Sequence, residues 1–247
     1  MANSFSFDGI DMSTYGLTVQ STNLPDLSKD IPTIQLIDRA YAGTATRTPK
    51  TLTINATVEG VSVSDLYNKL DSIKQYLDIG EAHFILDSLT DRYYNAELTD
   101  ISGNKVSNTV WGGMLTFLCA DPLAYSTTET SSDYNITTDP KTIVETVGGT
   151  GYVNPVFTLT AGETLSSVTI LVNNLTTDEE LSWEGSLVSS DELEIDVEHW
   201  IVYKNSAASM STVTGQFPRL APGANSIKVT GLSTTGTLNI TYRDTFL

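Results

Sequence analysis

The alternation of hydrophobic and polar positions predicts β-strands along most of the chain. The clearest strand is residues 51–59, where Leu52, Ile54, Ala56 and Val58 alternate with polar side chains. This pattern is typical of a strand with one buried face. Similar runs predict further strands in the first half, near residues 5–10, 15–19, 83–86, 93–98 and 111–120.

One segment has a helical period instead. Apolar residues at positions 63, 66, 70, 73 and 77 recur at spacings of three and four, which places them on one side of a helix. Ser62 is positioned to cap the amino terminus of this helix, Asp65 lies in its first turn, and Gly80 follows its end. The first half is therefore predicted to be a β-sheet domain with a single helix.

The second half shows no helical period. Short apolar strands are expected at residues 156–159, 168–172, 181–183, 193–197, 227–229 and 238–242. Polar turn signals separate them, among them Gly148-Gly149 and Pro222-Gly223. Many short strands without a helix predict an all-β sandwich or jelly roll.

A polar stretch separates the two halves. Residues 126–140 are nearly free of large aliphatic side chains, so they are not expected to contribute to a core. We therefore expect a first domain at residues 1–125, a linker or extended crossover at 126–140, and a second domain at 141–247.

The first domain ends in a distinctive run, Phe117-Leu118-Cys119-Ala120-Asp121-Pro122-Leu123-Ala124-Tyr125. Apolar residues alternate onto both faces of this strand, which predicts burial on both sides. Pro122 lacks a backbone N–H, so the sheet should end there. The run resembles the end of the first domain in the distal tail proteins of long-tailed, non-contractile bacteriophages.

Motifs in the second half resemble the same family. They are Asn154-Pro155-Val156-Phe157, Leu181-Ser182-Trp183-Glu184-Gly185, Leu193-Glu194-Ile195-Asp196 and Phe217-Pro218-Arg219-Leu220-Ala221-Pro222-Gly223-Ala224-Asn225-Ser226. In order, they are similar to the galectin-like jelly roll of distal tail proteins. The resemblance implies an amino-terminal ring domain, a β-sandwich or split barrel with one α-helix. It also implies a carboxyl-terminal jelly roll related in fold to galectins and carbohydrate-binding modules. The loop from Ala40 to Lys50 departs from the family pattern, which leaves its role unassigned.

The resemblance also implies a function and partners. A distal tail protein is a structural virion protein of the tail tip or baseplate. Its hexameric ring joins the tail tube to the host-adhesion apparatus. The implied partners are further copies of the chain, the tail tube protein, the tail-associated hub protein, and receptor-binding or fibre proteins. The implied location is the distal end of the phage tail in the virion, after synthesis in the host cytoplasm.

The charge balance argues against nucleic-acid and membrane partners. The chain has 30 acidic and 13 basic residues, a net charge of −17. Both halves are acidic, so neither offers a basic surface for phosphates. No apolar stretch approaches the roughly 18 residues of a membrane span. The first residues have no signal-peptide pattern, which favours synthesis in a cytoplasm.

Histidine and cysteine, which commonly carry catalysis, are sparse in this chain. The chain is therefore predicted not to be an enzyme. His83 and His199 lie far apart in sequence, and Cys119 is expected to be buried. No nucleophile motif or phosphate-binding glycine loop occurs, so no catalytic, metal or cofactor site is predicted. The acidic residues are interpreted mainly as surface charge; the groups considered are Glu192, Glu194 and Asp196, residues 178–180, and Asp87 with Asp91.

Sugar binding is the alternative function, because jelly rolls that bind carbohydrates use exposed aromatic side chains. Trp183 alternates in phase with Leu181, which predicts that it faces the core. Trp200 and Tyr203 remain as candidate carbohydrate-binding residues. In this alternative the chain is a module that contacts the host cell surface. A third hypothesis is a tail-tube subunit that forms open tubes. The predicted second domain argues against it.

Overall fold

A computed structural model describes residues 3–24, 29–30, 33–35, 40–42 and 46–247. The chain divides into two compact units, Met1–Thr127 with Leu247, and Thr128–Phe246. This division lies close to the boundary expected at residue 125. The prediction of a mainly β chain with a single α-helix is confirmed in the described residues. None of the described helices is long and apolar enough to cross a membrane.

The first unit is built on antiparallel strands and one helix. The elements are β1 Phe5–Phe7, β2 Ile10–Asp11, a 3-10 helix Met12–Tyr15, β3 Leu17–Asn23, β4 Lys29–Asp30, β5 Thr33–Gln35, β6 Ala40–Ala42, β7 Thr46–Arg47, β8 Lys50–Glu59, α1 Val63–Leu77, β9 Ala82–Leu86, β10 Leu89–Lys105, β11 Val110–Cys119 and β12 Ala124–Ser126. The sheet order is β2-β1-β9-β10-β11-β8-β3, and β12 pairs with β10. The long strand β10 pairs with β9 through its first part and with β11 through its second part.

The predicted helix and its capping are confirmed. The Ser62 side chain accepts a hydrogen bond from the backbone N–H of Asp65, and α1 ends at Leu77. The helix buries its apolar stripe from Leu66 to Leu77, whereas Val63 in the first turn is 43% exposed. Strand β8 buries the predicted alternate side chains. An aromatic cluster joins them in the core, with the Phe5 ring centroid 4.8 Å from that of Phe84 and 5.9 Å from that of Phe117.

Strand β11 corrects one expectation from the sequence. Leu115, Phe117 and Cys119 are buried, but Met114 and Leu118 are 37% and 38% exposed. The prediction of burial on both faces is therefore wrong, because the core of this unit covers only one face of the strand. The strand does end before Pro122 as predicted, and the Asp121 carboxylate accepts hydrogen bonds from the backbone of Leu123 and the hydroxyl of Tyr125.

The segment Ala40–Lys50 is described in part. Ala40–Ala42 pairs with Thr33–Gln35, and Thr46–Arg47 pairs with Lys29–Asp30. Lys50 begins β8. Residues 43–45 lie outside the described residues.

The second unit is a sandwich of two antiparallel sheets. The strands are β13 Thr130–Asn135, β14 Lys141–Val147, β15 Val156–Thr160, β16 Leu165–Asn174, β17 Glu179–Leu187, β18 Glu192–Asp196, β19 Ile201–Lys204, β20 Ala207–Ala208, β21 Val213–Gly215, β22 Gly223–Thr230, β23 Thr237–Tyr242 and β24 Thr245–Phe246. One sheet has the order β13-β23-β15-β18-β19-β20 and the other β14-β22-β16-β17-β21, with one hydrophobic core among their strands. This confirms the predicted all-β second domain.

The expected linker at residues 126–140 is wrong for most of its length. Thr130–Asn135 forms β13, which pairs with β23 at the edge of the six-stranded sheet. Tyr134 packs against the core and Ile136 is buried. The segment has a polar sequence because its partly covered side chains hydrogen-bond to Glu145 instead of forming an apolar face.

Candidate functional site

A groove of about 450 Å³ opens in the second unit. It lies between the turn that joins β18 to β19 and the segment that follows β21. Trp200 and Val197 contribute from the turn, and Gln216, Phe217 and Arg219 from the segment. The two sides of the groove therefore come from different sheets of the sandwich.

Trp200 is held in an unusual backbone conformation. Its φ is 56° and its side chain is 73% exposed. Eight described non-glycine residues have positive φ, and the other seven are Asp, Asn or Ser. Those small polar residues tolerate the left-handed region, whereas a bulky aromatic residue there is an outlier. The fold thus presents an exposed indole from a position that would suit glycine or asparagine better.

The turn that carries Trp200 is fixed by the residues before it. The Asp196 carboxylate accepts a hydrogen bond of 3.0 Å from the backbone N–H of His199, and its other oxygen lies 2.7 Å from the His199 ring nitrogen Nδ1. The hydrogen bond to Asp196, and then its negative charge, raise the pKa of His199 above its usual value. The backbone N–H of Val197 also donates to the carbonyl of Pro155. These contacts hold the turn at both ends.

The opposite side of the groove contains an ion pair. The Arg219 guanidinium donates to Glu179 through Nε at 2.9 Å and Nη2 at 2.5 Å, and the Arg219 backbone N–H donates at 2.8 Å. Burial alone would raise the pKa of Glu179, but the hydrogen bonds from Arg219 outweigh it and the pKa lies below its usual value. The guanidinium carbon also lies 5.1 Å from the ring centroid of Tyr152. The pair is geometrically fixed and has no net charge.

The two aromatic candidates from the sequence do not share one site. Tyr203 is not among the residues that line the groove. It alternates with the buried Val202 on β19 and so faces away from the core. Trp183 is 2% exposed and donates from Nε1 to the Ser209 hydroxyl at 3.0 Å, which confirms its predicted core position. Of the aromatic candidates from the sequence, the groove thus includes Trp200 alone.

The acidic groups lie in separate places. Glu192, Glu194 and Asp196 share one face of β18, as predicted, although Glu194 and Asp196 are half-buried. Glu179 differs from the expected surface charge, because it is buried and paired with Arg219. The two acids considered on the first unit have local roles: Asp87 accepts from the backbone N–H of Ser4, and Asp91 pairs with Arg92. Within the described ranges, no three His, Cys, Asp or Glu side chains are grouped as metal ligands.

The two remaining reactive candidates also have structural surroundings. Cys119 is buried, and burial followed by the charges of Glu81 and Asp121 raises its pKa to about 11. Its thiol is therefore protonated and poorly nucleophilic at neutral pH. His83 is exposed on β9, and its ring centroid lies 4.0 Å from that of Tyr93.

Comparison with known protein families gives a match in the second unit. Residues 148–246 match the model of the siphovirus-type tail component, C-terminal domain. The matched residues lie within the second unit. The resemblance to distal tail proteins inferred from the sequence is thereby confirmed.

Solved structures extend the similarity to the whole chain. The crystal structure of the Dit protein of phage SPP1, described as a paradigm of the hub adsorption apparatus in phages that infect Gram-positive bacteria, matches with a TM-score of 0.79. The two sequences are 16% identical, and the match covers 100% of both chains, which establishes a shared fold. Chains of the phage p2 baseplate in its activated conformation with Sr and with Ca match over 97% and 98% of both chains, at 11% and 13% identity. Their TM-scores are both 0.48. No curated protein sequence matches the chain.

The motif that carries the family resemblance forms a brace inside the second unit. Asn225 is fully buried; its side chain accepts from the backbone N–H of Ala221 at 2.8 Å and donates to the Ala221 carbonyl at 2.8 Å. The buried Asn174 donates to Asn225 and to the Arg219 carbonyl at 3.1 and 2.6 Å. These bonds fix the segment that presents Phe217 to the groove.

Several residues of this site are not predicted from the sequence as site residues. Phe217 and Arg219 belong to the motif that resembles the family, and the pattern around Glu179 predicts surface charge. The one available signal was the Pro222-Gly223 turn followed two residues later by a polar Asn225, which is typical of an asparagine that bonds to its own turn. That signal points to a fixed loop, but not to the groove beside it.

Proposed function

We propose that this chain is a distal tail protein, a structural hub at the tail tip of a long-tailed phage. The observation that carries the proposal is the match of residues 148–246 to the siphovirus-type tail component. The fold shared with the SPP1 Dit protein along the full chain supports it. In this proposal six copies form a closed ring that joins the tail tube to the host-adhesion apparatus.

The ring contacts belong to the first unit in this proposal. Its surface includes apolar side chains that an assembly would bury: Val61 is 91% exposed and Val106 is 71% exposed. Their loops are connected, since the Gly60 backbone N–H donates to the Thr109 carbonyl at 2.9 Å. The uncovered face of β11, with Met114 and Leu118, offers a second apolar area. Exposed apolar groups of this kind are typical of protein interfaces.

The remaining partners follow from the position of a hub. The ring would contact the tail tube protein and the tail-associated hub protein, and the second unit would carry receptor-binding or fibre proteins. The protein would be made in the host cytoplasm and assembled at the distal end of the tail. The net charge of −17 supports this role, because an acidic ring would not retain DNA that passes through it.

The proposed role is structural and involves no catalysis. The thiol of Cys119 is buried and the His83 ring is tilted by 31° against that of Tyr93, so both side chains have structural surroundings that do not favour a nucleophile–base pair. Incubation of the pure protein with peptidoglycan, capsular polysaccharide and peptides, with and without calcium, tests this directly. We expect no turnover. Turnover abolished by changing Asp178, Glu192, Glu194 or Asp196 would contradict a purely structural role.

Negative-stain microscopy of the purified protein tests the hub proposal. Closed six-fold rings would support it, and open tubes would instead indicate a tail-tube subunit. Val61→Asp combined with Val106→Asp should reduce the fraction of rings, because it places charge in the proposed contacts. Val144→Asp is the matched control: Val144 is similarly exposed, at 62%, but lies in the second unit. Equal loss of rings in both variants would contradict contacts confined to the first unit.

A further inference from the structure

We propose that the groove between Trp200 and Phe217 binds a neutral pyranose sugar of a cell-surface glycan. In this site the Trp200 indole is the platform on which the sugar ring stacks. Phe217 forms the apolar wall opposite, while Gln216 and the Arg219–Glu179 pair provide hydrogen bonds. The inference goes beyond the hub role and is independent of the ring.

The position of Trp200 favours a ligand-binding role. The fold does not need its side chain, since the residue is 73% exposed and contributes little to the core. Its φ of 56° makes the position unfavourable for a bulky side chain. Backbone strain of this kind is concentrated at functional sites, where the surrounding structure maintains it. Here the Asp196 and Pro155 contacts maintain the turn. An exposed indole in a strained and well-fixed turn indicates a ligand for its ring.

The chemistry of the indole face suits a sugar ring. An indole face carries partial negative charge from its π electrons and is also apolar. One face of a pyranose presents C–H groups that are apolar and slightly positive, so the two surfaces are complementary. Phe217 adds apolar surface within the same groove. The volume of about 450 Å³ lies within the range of roughly 300 to 1,000 Å³ usual for small-ligand sites.

The polar side of the groove favours a neutral ligand. Sugar hydroxyls both donate and accept, and the groove offers both functions through the Gln216 amide and the Arg219–Glu179 pair. Because the guanidinium is already matched by a carboxylate 2.5 Å away, the site has no spare positive charge for an anion. The net charge of −17 also opposes anionic polymers. A neutral sugar is therefore the class of ligand that the groove favours.

A glycan array tests the proposal with the full-length protein. The probes are neutral oligosaccharides built from glucose, galactose, rhamnose and N-acetylglucosamine, with polyglycerol-phosphate teichoic acid as the anionic comparison. Titration calorimetry then measures the affinity for each neutral oligosaccharide that binds. We expect Trp200→Ala to weaken binding by about tenfold or more, and Trp200→Phe to weaken it less because a stacking ring remains. Tyr203→Ala, outside the groove, is the matched control and should stay within about twofold.

A second measurement locates the sugar without relying on affinity. The chain has three tryptophans, so its two-dimensional NMR spectrum should contain three indole N–H signals per chain. Addition of a bound oligosaccharide should shift the Trp200 signal and leave that of the buried Trp183 in place. The proposal is overturned if no neutral glycan binds, if only the anionic polymer binds, or if binding is unchanged in Trp200→Ala. None of these results affects the number of subunits in the ring, so failure here is distinguishable from failure of the hub proposal.

Discussion

The Tyr242 hydroxyl donates a hydrogen bond of 2.8 Å to the carboxylate of Glu145 across the two sheets of the second unit. The Tyr134 hydroxyl donates to the same carboxylate at 2.6 Å, and that of Ser132 at 3.3 Å. Glu145 is 5% exposed. Burial, followed by the bond to Glu145, raises the pKa of Tyr134 to about 12 and also raises the pKa of Tyr242. Both phenols therefore remain donors at neutral pH, and the carboxylate links the sheet edges.

Tyr242→Phe should lower the free energy of unfolding by about 2 kcal/mol, because a buried charged group loses a donor. Urea unfolding measures the change. Tyr203→Phe is the matched control: it removes the hydroxyl of a tyrosine that faces away from the core, and it should change stability by less than about 0.5 kcal/mol. Equal losses in both variants would contradict a specific role for the Glu145 bonds.

The second domain is predicted to begin near residue 128 and to need β13 for its full stability. A fragment of residues 128–247 should fold cooperatively, because it contains the whole six-stranded sheet. A fragment of residues 141–247 lacks β13, so β23 loses its partner and Glu145 loses the Tyr134 hydroxyl. We expect the shorter fragment to unfold at a clearly lower urea concentration. Circular dichroism and urea melts compare the two, and equal stability would show that β13 contributes nothing to the domain.

The turn before Trp200 should show a specific pH dependence. Since the pKa of His199 is raised above 6.5 in the folded chain, protonated His199 stabilises the turn fully below that value. The contribution is lost as the pH rises through the raised pKa. NMR titration of the His199 ring should give this raised value, and Asp196→Asn should lower it. Glu198→Gln, which removes a weaker charge effect, should lower it less. An unchanged pKa in Asp196→Asn would contradict the proposed cause.

The strain at Trp200 predicts an uncommon effect of a large-to-small change. Trp200→Gly should leave the free energy of unfolding unchanged or raise it by up to about 1 kcal/mol, because glycine adopts positive φ without steric cost. Trp183→Gly, in the buried core of the same domain, should lower it by about 3 kcal/mol or more. Thermal melts of the two variants measure the contrast. A large loss at Trp200 would mean that its ring packs in the core.

Much of the fold was predictable because local pattern and burial agree. In α1 the apolar stripe, the Ser62 cap and the buried face all follow from spacing. Strand β13 was not predictable in this way, because its partly covered Ser132 and Tyr134 are satisfied by a carboxylate from another sheet. The predicted burial of β11 is wrong for the opposite reason. Both faces of this strand are apolar in sequence, but only one face is covered in the unit.

The candidate site was predictable only in part. Trp200 is a candidate from the sequence because it is an aromatic residue that remains once Trp183 is assigned to the core. Its groove partners Phe217 and Arg219 lie in a different sheet region. Tyr203, close to Trp200 in sequence, faces elsewhere because β19 alternates its side chains. Two residues that are close in sequence therefore need not share a site. The groove partners of Trp200 depend on pairing between strands that are distant in sequence.

The number of subunits is the most direct test of the central claim. Native mass spectrometry and light scattering of the full-length protein, measured over a range of concentrations, give the mass of the assembly. We expect six copies, either as a stable ring or in exchange with monomers and dimers at low concentration. A stable trimer, or an open filament that grows with concentration, would contradict a distal tail hub.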